Sequence, residues 1–242
     1  MAIQLVDSTV QARHFSSDQL ARWGLLEAVR REAVRDRLIA TIPSPPAPLM
    51  AVLNRQWMER QGLISPQTLD DWLRCRQLDS THLSELVSRE WRWQRWCESY
   101  GVDDLLTYFL SRKASLDRVR YWHLTCALKD FAAEIYQRLR EGEVSFAALT
   151  RDRSSGVSES SREDFQVQLV GPIEIENVSR DLRPLLQSSD LGVLWSPQPM
   201  KNGSWQIVRL EDRFSASLDE SMRLRLLEEI GEAVLRQELE SA

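Results

Sequence analysis

Three histidines and three cysteines are the side chains best suited to ligate a metal or act as nucleophile or base: His14, His82 and His123, with Cys75, Cys97 and Cys126. The cysteines fall at unrelated spacings, so they give neither a disulfide framework nor the paired pattern of a zinc site. Each reads as a small buried hydrophobe. No histidine has paired cysteine or acidic partners at ligand spacing, so no metal and no cofactor is expected. His14 and His82 lie in unrelated helical contexts. His123 is different, because its segment places it. In "DRVRYWHLTCALKD" (117–130) apolar and polar residues alternate, and a helical period then takes over at "LKDFAAEIYQRLREGE". A histidine in mid-strand is either a hydrogen-bonded core residue or a polar group facing a site. The residues alone leave both open.

The elements that would position it divide the chain of 242 residues in two. The first half is helical. "SSDQLARWGLLEAVRREAVRDRLIATI" predicts a helix capped by Ser17 or Asp18, with Leu20, Trp23, Leu26, Val34, Leu38 and Ile42 at helical steps. "PSPPAP" ends it, and Pro48 suits the first turn of the next helix, which closes at Gly62. Two look-alike units follow, "GLISPQTLDDWLRCRQ" and "QLDSTHLSELVSREWRW", with Ser65 and Asp79 or Ser80 as caps. From Val119 the pattern becomes strand, helix, short helix, a polar loop at 153–164, and the strand "FQVQLVG". A short helix around Pro184 comes next, then the strands "GVLWSP" and "WQIVRLED" joined at "KNG". A last amphipathic helix offers Leu224, Leu227, Ile230, Val234 and Leu235 to some surface. The fold class is therefore α+β.

Net charge of −5 argues against nucleic acid as an obligate partner. "EWRWQRWCESY" (90–100) could stack on bases, but Trp93, Trp96 or Cys97, and Tyr100 recur at helical steps. They are expected to pack inside under arginine stems. The basic residues are nearly all arginine, with lysine only at 113, 129 and 201, which reads as compositional bias. No apolar run approaches the ~18 residues of a membrane span. The N-terminus lacks the pattern of a signal peptide, so a cytoplasmic location is expected.

The order and spacing in 119–213 resemble a parvulin-type peptidyl-prolyl isomerase domain of the PpiC/SurA kind. "VRYWHLT" is similar to the family's V-R-x-x-H-I-L, "REGEVSFAALTRDRSSG" to its K-x-G-x-x-F-x-x-L-A, and "GSWQIVRLED" to its closing strand. "LLQSSDLGVLWSP" resembles the segment before that strand. The helical half, with its doubled units, resembles the N-terminal region of SurA-like foldases, and the nearest likeness is to short cyanobacterial SurA-like proteins.

That resemblance implies a helical domain at 1–115 and a parvulin-like domain at 116–214 with a four-stranded antiparallel sheet. A C-terminal helix at 215–242 would pack back on the N-terminal domain. It implies prolyl isomerisation of unfolded or proline-containing polypeptide, with His123 and Gln206 as the catalytic pair. Leu182, Trp195 and Trp205 are its substrate-binding candidates. Gln206 stands where the family has a second histidine, the family's Cys/Asp position falls near Gly156, and its G-G-D-L-G segment keeps only Gly171. Those departures leave a degenerate isomerase and a non-catalytic holdase or export-associated adaptor as alternatives. The turn after the first strand offers only Lys129, beside Asp130, so no phosphoserine requirement is expected.

Overall fold

The computed structural model describes residues 15–63, 65–154 and 165–241. In chain order the helices of the first half are α1 Ser17–Arg22, α2 Leu26–Ile39, α3 Ala47–Arg60, α4 Pro66–Cys75, α5 Ser80–Gly101 and α6 Leu105–Leu116. Then come β1 Arg118–Cys126, α7 Lys129–Glu141, α8 Phe146–Ser154, β2 Phe165–Glu174, a 3-10 turn at Ile175–Asn177 and α9 Arg183–Ser188. The chain ends with β3 Gln198–Pro199, β4 Trp205–Phe214 and α10 Glu220–Glu240. Two compact units result: the residues through Leu106 with those from Asp219, and Thr107–Leu218.

The helical unit is built around α5. Asp79 caps it by accepting from the amides of Thr81 and His82, and the His82 ring closes the box by accepting from the Asp79 amide at Nδ1. That is the role the structure gives His82; His14 lies outside the described residues. Ser65 caps α4 in the same way with Thr68, and Pro66 takes the first turn. Val87, Trp93, Trp96 and Cys97 of α5 are buried, and Trp93, Trp96 and Tyr100 stack at 5.2 and 5.1 Å. The Arg35 guanidinium lies 4.8 Å over Trp93. Tyr100 itself is exposed, so the aromatic stripe enters the core only over its first two rings. α10 packs on α5 and α2, burying Leu226, Leu227, Gly231 and Leu235.

Several expectations are corrected here. The first predicted helix is two, because Gly24 at φ +70° turns the chain between α1 and α2, and its cap is Ser16, not Ser17 or Asp18. The buried residue near the end of α2 is Ile39 rather than Leu38. In α10 the buried stripe is rotated: Leu224 is exposed and Leu226 takes the inner position. Cys75, at the end of α4, is exposed, whereas Cys97 and Cys126 are buried.

Several arginines join the helices of this unit. Arg89 of α5 pairs with both Glu32 and Asp36 of α2, and Arg92 donates to the carbonyls of Ile39 and Ile42. The Ile39 carbonyl, which also accepts from the Ile42 amide, and the Ile42 carbonyl just past α2 are thereby tied to α5. Arg31–Glu232 and Arg37–Glu238 pair α2 with α10.

The second unit is a four-stranded antiparallel sheet in the order β2-β1-β4-β3. One face carries α7 and α8 over Leu124, Cys126 and Ile207, and the other carries the 3-10 turn and α9 over Val119, Tyr121, Val208 and Leu210. The strand "GVLWSP" does not form as such. Leu194 makes a single bridge to Arg209, the Trp195 amide donates to the Val208 carbonyl, and regular pairing waits for Gln198–Pro199. Pro197 and the short approach leave no room for a longer ladder. Gly171 sits at φ +103° beside the β1–β2 irregularity, where a β-carbon would lie 2.3 Å from the Val119 carbonyl oxygen. Only glycine fits there.

Candidate functional site

β1 and β4 are the two central strands, and their register fixes which side chains share a face. Tyr121 faces Leu210, His123 faces Val208, and Thr125 faces Gln206. The side chains of His123 and Gln206 therefore point to the same side on neighbouring strands, one pleat apart. They meet: His123 Nε2 lies 3.1 Å from Gln206 Oε1. With the amide oxygen turned to Nε2, the imidazole donates from Nε2. Burial pushes the His123 pKa below its ordinary 6.5, and the bond to Gln206 opposes that shift only in part. The ring is neutral at pH 7.

Leu182 lies on this face too, but it is 2% exposed and packs with Val119, Tyr121, Leu186 and Val208. Its surface is spent on the protein's own core. Trp195 follows Leu194, which faces the opposite side, and its indole N–H donates to Ser189 Oγ at 2.9 Å just past the end of α9. Trp205 is placed elsewhere. As the neighbour of Gln206 in an extended strand it points to the α7–α8 face, where it packs in that core and Lys129 lies 5.5 Å over its ring. So the structure brings together His123 and Gln206, sets Leu182 beneath the same face, and separates Trp205 from them. The position near Gly156 lies outside the described residues.

α9 is held over the sheet by arginine. Arg213 Nη2 of β4 donates to the carbonyls of Leu186, Gln187 and Ser189 at 2.6, 3.2 and 3.2 Å. Arg183 reaches back to the carbonyls of Val178 and Glu176. The six-residue helix thus has both ends tied by guanidinium groups, its own Arg183 at the start and the sheet's Arg213 at the end.

Two further residues of the face had no assigned role. Gln166 and Gln168 of β2 stand opposite Thr125 and His123. The signal was present in the Q-x-Q spacing of "FQVQLVG", but a strand's polar side is ordinarily the solvated one.

No protein-family model and no curated protein matches the chain. Among solved structures it is similar to the peptidylprolyl isomerase PrsA from Bacillus cereus, at 13% identity and TM-score 0.46 over 94% of this chain and 84% of that one. The likeness to PrsA from Bacillus anthracis has 14% identity and TM-score 0.43, over 88% and 96% of the two chains. The foldase protein PrsA from Streptococcus pneumoniae is similar at 10% identity and TM-score 0.40, over 93% and 85%.

Proposed function

We propose that this protein is a foldase-like binder of extended, proline-containing polypeptide, with prolyl isomerisation at the His123–Gln206 face. The observation that carries this is the hydrogen bond between His123 and Gln206 across the two central strands. Sequence motifs similar to those of parvulins lie on the strands that make it.

Prolyl isomerisation breaks no bond. The enzyme must favour a twisted amide over both planar forms, against an unaided barrier of about 18–20 kcal/mol. A neutral imidazole held by an amide carbonyl is suited to orienting polar groups around the substrate carbonyl, and no proton transfer is required of it. A glutamine can take the place of a second histidine in that task, because it donates and accepts from the same side chain.

A second reading has its own observation. Leu182, Leu186, Val208 and Tyr121 are at most 5% exposed, so the apolar surface that would seat a proline ring is filled from within. On that reading the unit keeps the sheet as a polypeptide-binding module without catalysis.

Exchange NMR on an unphosphorylated Ala-Pro peptide separates the two. Acceleration by wild type that disappears in His123→Ala supports the isomerase. A folded wild type that leaves the exchange rate unchanged removes the isomerase and leaves the binding module.

A further inference from the structure

Four uncharged side chains form one line across the whole sheet. The register sets Gln166 of β2 against Thr125 of β1, Thr125 against Gln206 of β4, and Gln206 against Gln198 of β3. Residues paired in this way share a face. The next line on the same face is Gln168, His123 and Val208, and beyond it lie Val170, Tyr121 and Leu210. The face therefore grades from hydrogen-bonding side chains at the Thr125 end to sealed core at the Tyr121 end. Gln166 and Gln168 are exposed, Thr125, His123 and Gln198 are half-buried, and Gln206 is 4% exposed.

We infer that this line is a main-chain recognition strip, which binds an uncharged extended peptide by its backbone amides and fixes it across the His123–Gln206 pair. The inference rests on the polypeptide-binding reading above and adds what the ligand must be. Strands about 4.8 Å apart place the two ends of a four-strand line about 14 Å apart, which about four extended residues span at ~3.3 Å each. Glutamine and threonine supply both donors and acceptors, the complement of a peptide's alternating N–H and C=O groups. Neither line carries a carboxylate, ammonium or guanidinium group. In the adjoining turns, Lys201 and Asp181 are paired with each other at 3.2 Å. Nothing in the strip selects a charged side chain, so the binding signal is the backbone itself.

The test uses the whole protein and the blocked tetrapeptide N-acetyl-Ala-Ala-Pro-Ala-amide, followed by the side-chain NH2 signals of the glutamines and by Kd. Gln166→Leu and Gln198→Leu, at opposite ends of the line, keep side-chain bulk and remove the amides. The Gln198 amide donates to the Ser196 carbonyl and hydroxyl in the free protein, and a peptide must take their place. Each is expected to weaken Kd about three- to tenfold. An ester analogue lacking one backbone N–H should bind wild type more weakly and lose less in the variant facing that bond. A Kd in both variants equal to that of wild type, with the glutamine NH2 signals unmoved, overturns the strip. Isomerisation at His123, followed in the same samples, then shows whether the broader reading stands. A folded wild type that binds no peptide overturns both. Tighter binding of an acidic or basic peptide in place of the blocked one also overturns the strip.

Discussion

Gly231 of α10 lies against Cys97 of α5 with no space for a β-carbon: one added there would sit 2.3 Å from Sγ and 3.3 Å from Trp93 Cζ2. Both neighbours are buried. A helix-interior glycine costs about 1 kcal/mol against alanine, while overpacking a tight core costs about 1–3 kcal/mol. The overlap is with a fixed sulfur and should win. Gly231→Ala is expected to lower the unfolding free energy by about 1–2 kcal/mol. In a Cys97→Ala background the same change should cost little or become favourable. Urea unfolding of the four proteins checks this, and additive effects would contradict it.

That contact also shows where the sequence stops being informative. Cys97 is legible as a buried small residue, because it falls on the inner stripe of α5. Gly231 is not, since glycine carries no apolar signal and its place depends on what α5 brings opposite. The caps at Ser65 and Asp79, the helical first half and the strand around His123 follow from local chemistry. The His123–Gln206 meeting needs the β1–β4 register, which strand patterns alone leave open; there the resemblance supplied the pairing. The separation of Trp205 from Gln206 was legible in principle, because neighbours in a strand face opposite sides. The carbonyl partners of Arg92 and Arg213 are not legible either, for they are set by tertiary contacts that no window of sequence contains.

Thiol reactivity should divide the cysteines. Burial pushes Cys97 up to about 12 and raises Cys126, so neither is a thiolate near pH 8 in the folded chain. Cys75 is exposed. An aromatic disulfide reagent at pH 8 is expected to titrate one thiol in the native protein and three after denaturation. Rapid reaction of two or three native thiols would contradict the burial.

Arg213 joins the sheet to α9 through three carbonyls. Lysine keeps the charge but lacks the planar fork, so Arg213→Lys should lose part of this bridge, and Arg213→Ala all of it. Hydrogen bonds to charged groups contribute about 1.5–3 kcal/mol, and the loss in Arg213→Ala should lie near ~2 kcal/mol. The local readout is amide hydrogen exchange: protection in α9 should fall in both variants while α7 stays protected. Unchanged α9 protection in Arg213→Ala would remove the bridge from the account.

On the proposed function, phosphorylating the serine before proline in a peptide ligand should bring no gain. A phosphate needs a basic cluster that can pair it bidentately. Lys129, the one lysine in the turn after β1, lies over Trp205 on the α7–α8 face and not beside His123. Peptides with serine and phosphoserine at that position should bind within about twofold of each other, since an unpaired surface charge contributes little. A tenfold preference for the phosphopeptide would show a basic site elsewhere.

The lowered pKa of His123 makes a prediction about stability with a definite sign. Above the ordinary value of 6.5 the ring is neutral in both folded and unfolded chains and contributes no pH dependence. As pH falls below 6.5, the unfolded chain takes up a proton that the half-buried site resists. The unfolded state then binds more protons, and stability is lost until pH has passed the depressed folded value. Wild type should therefore have a lower urea midpoint at pH 5 than at pH 7.5. His123→Gln cannot take up that proton, so the fall between the two pH values should be smaller in the variant. Carboxylates that titrate over the same range act in both proteins and cancel in the comparison. A fall of equal size in the two proteins would mean that His123 is as easily protonated in the folded chain as in the unfolded one. Its bond to Gln206 would then be to a ring in ready exchange with water, and the neutral, orienting imidazole on which the proposed site depends would be lost with it.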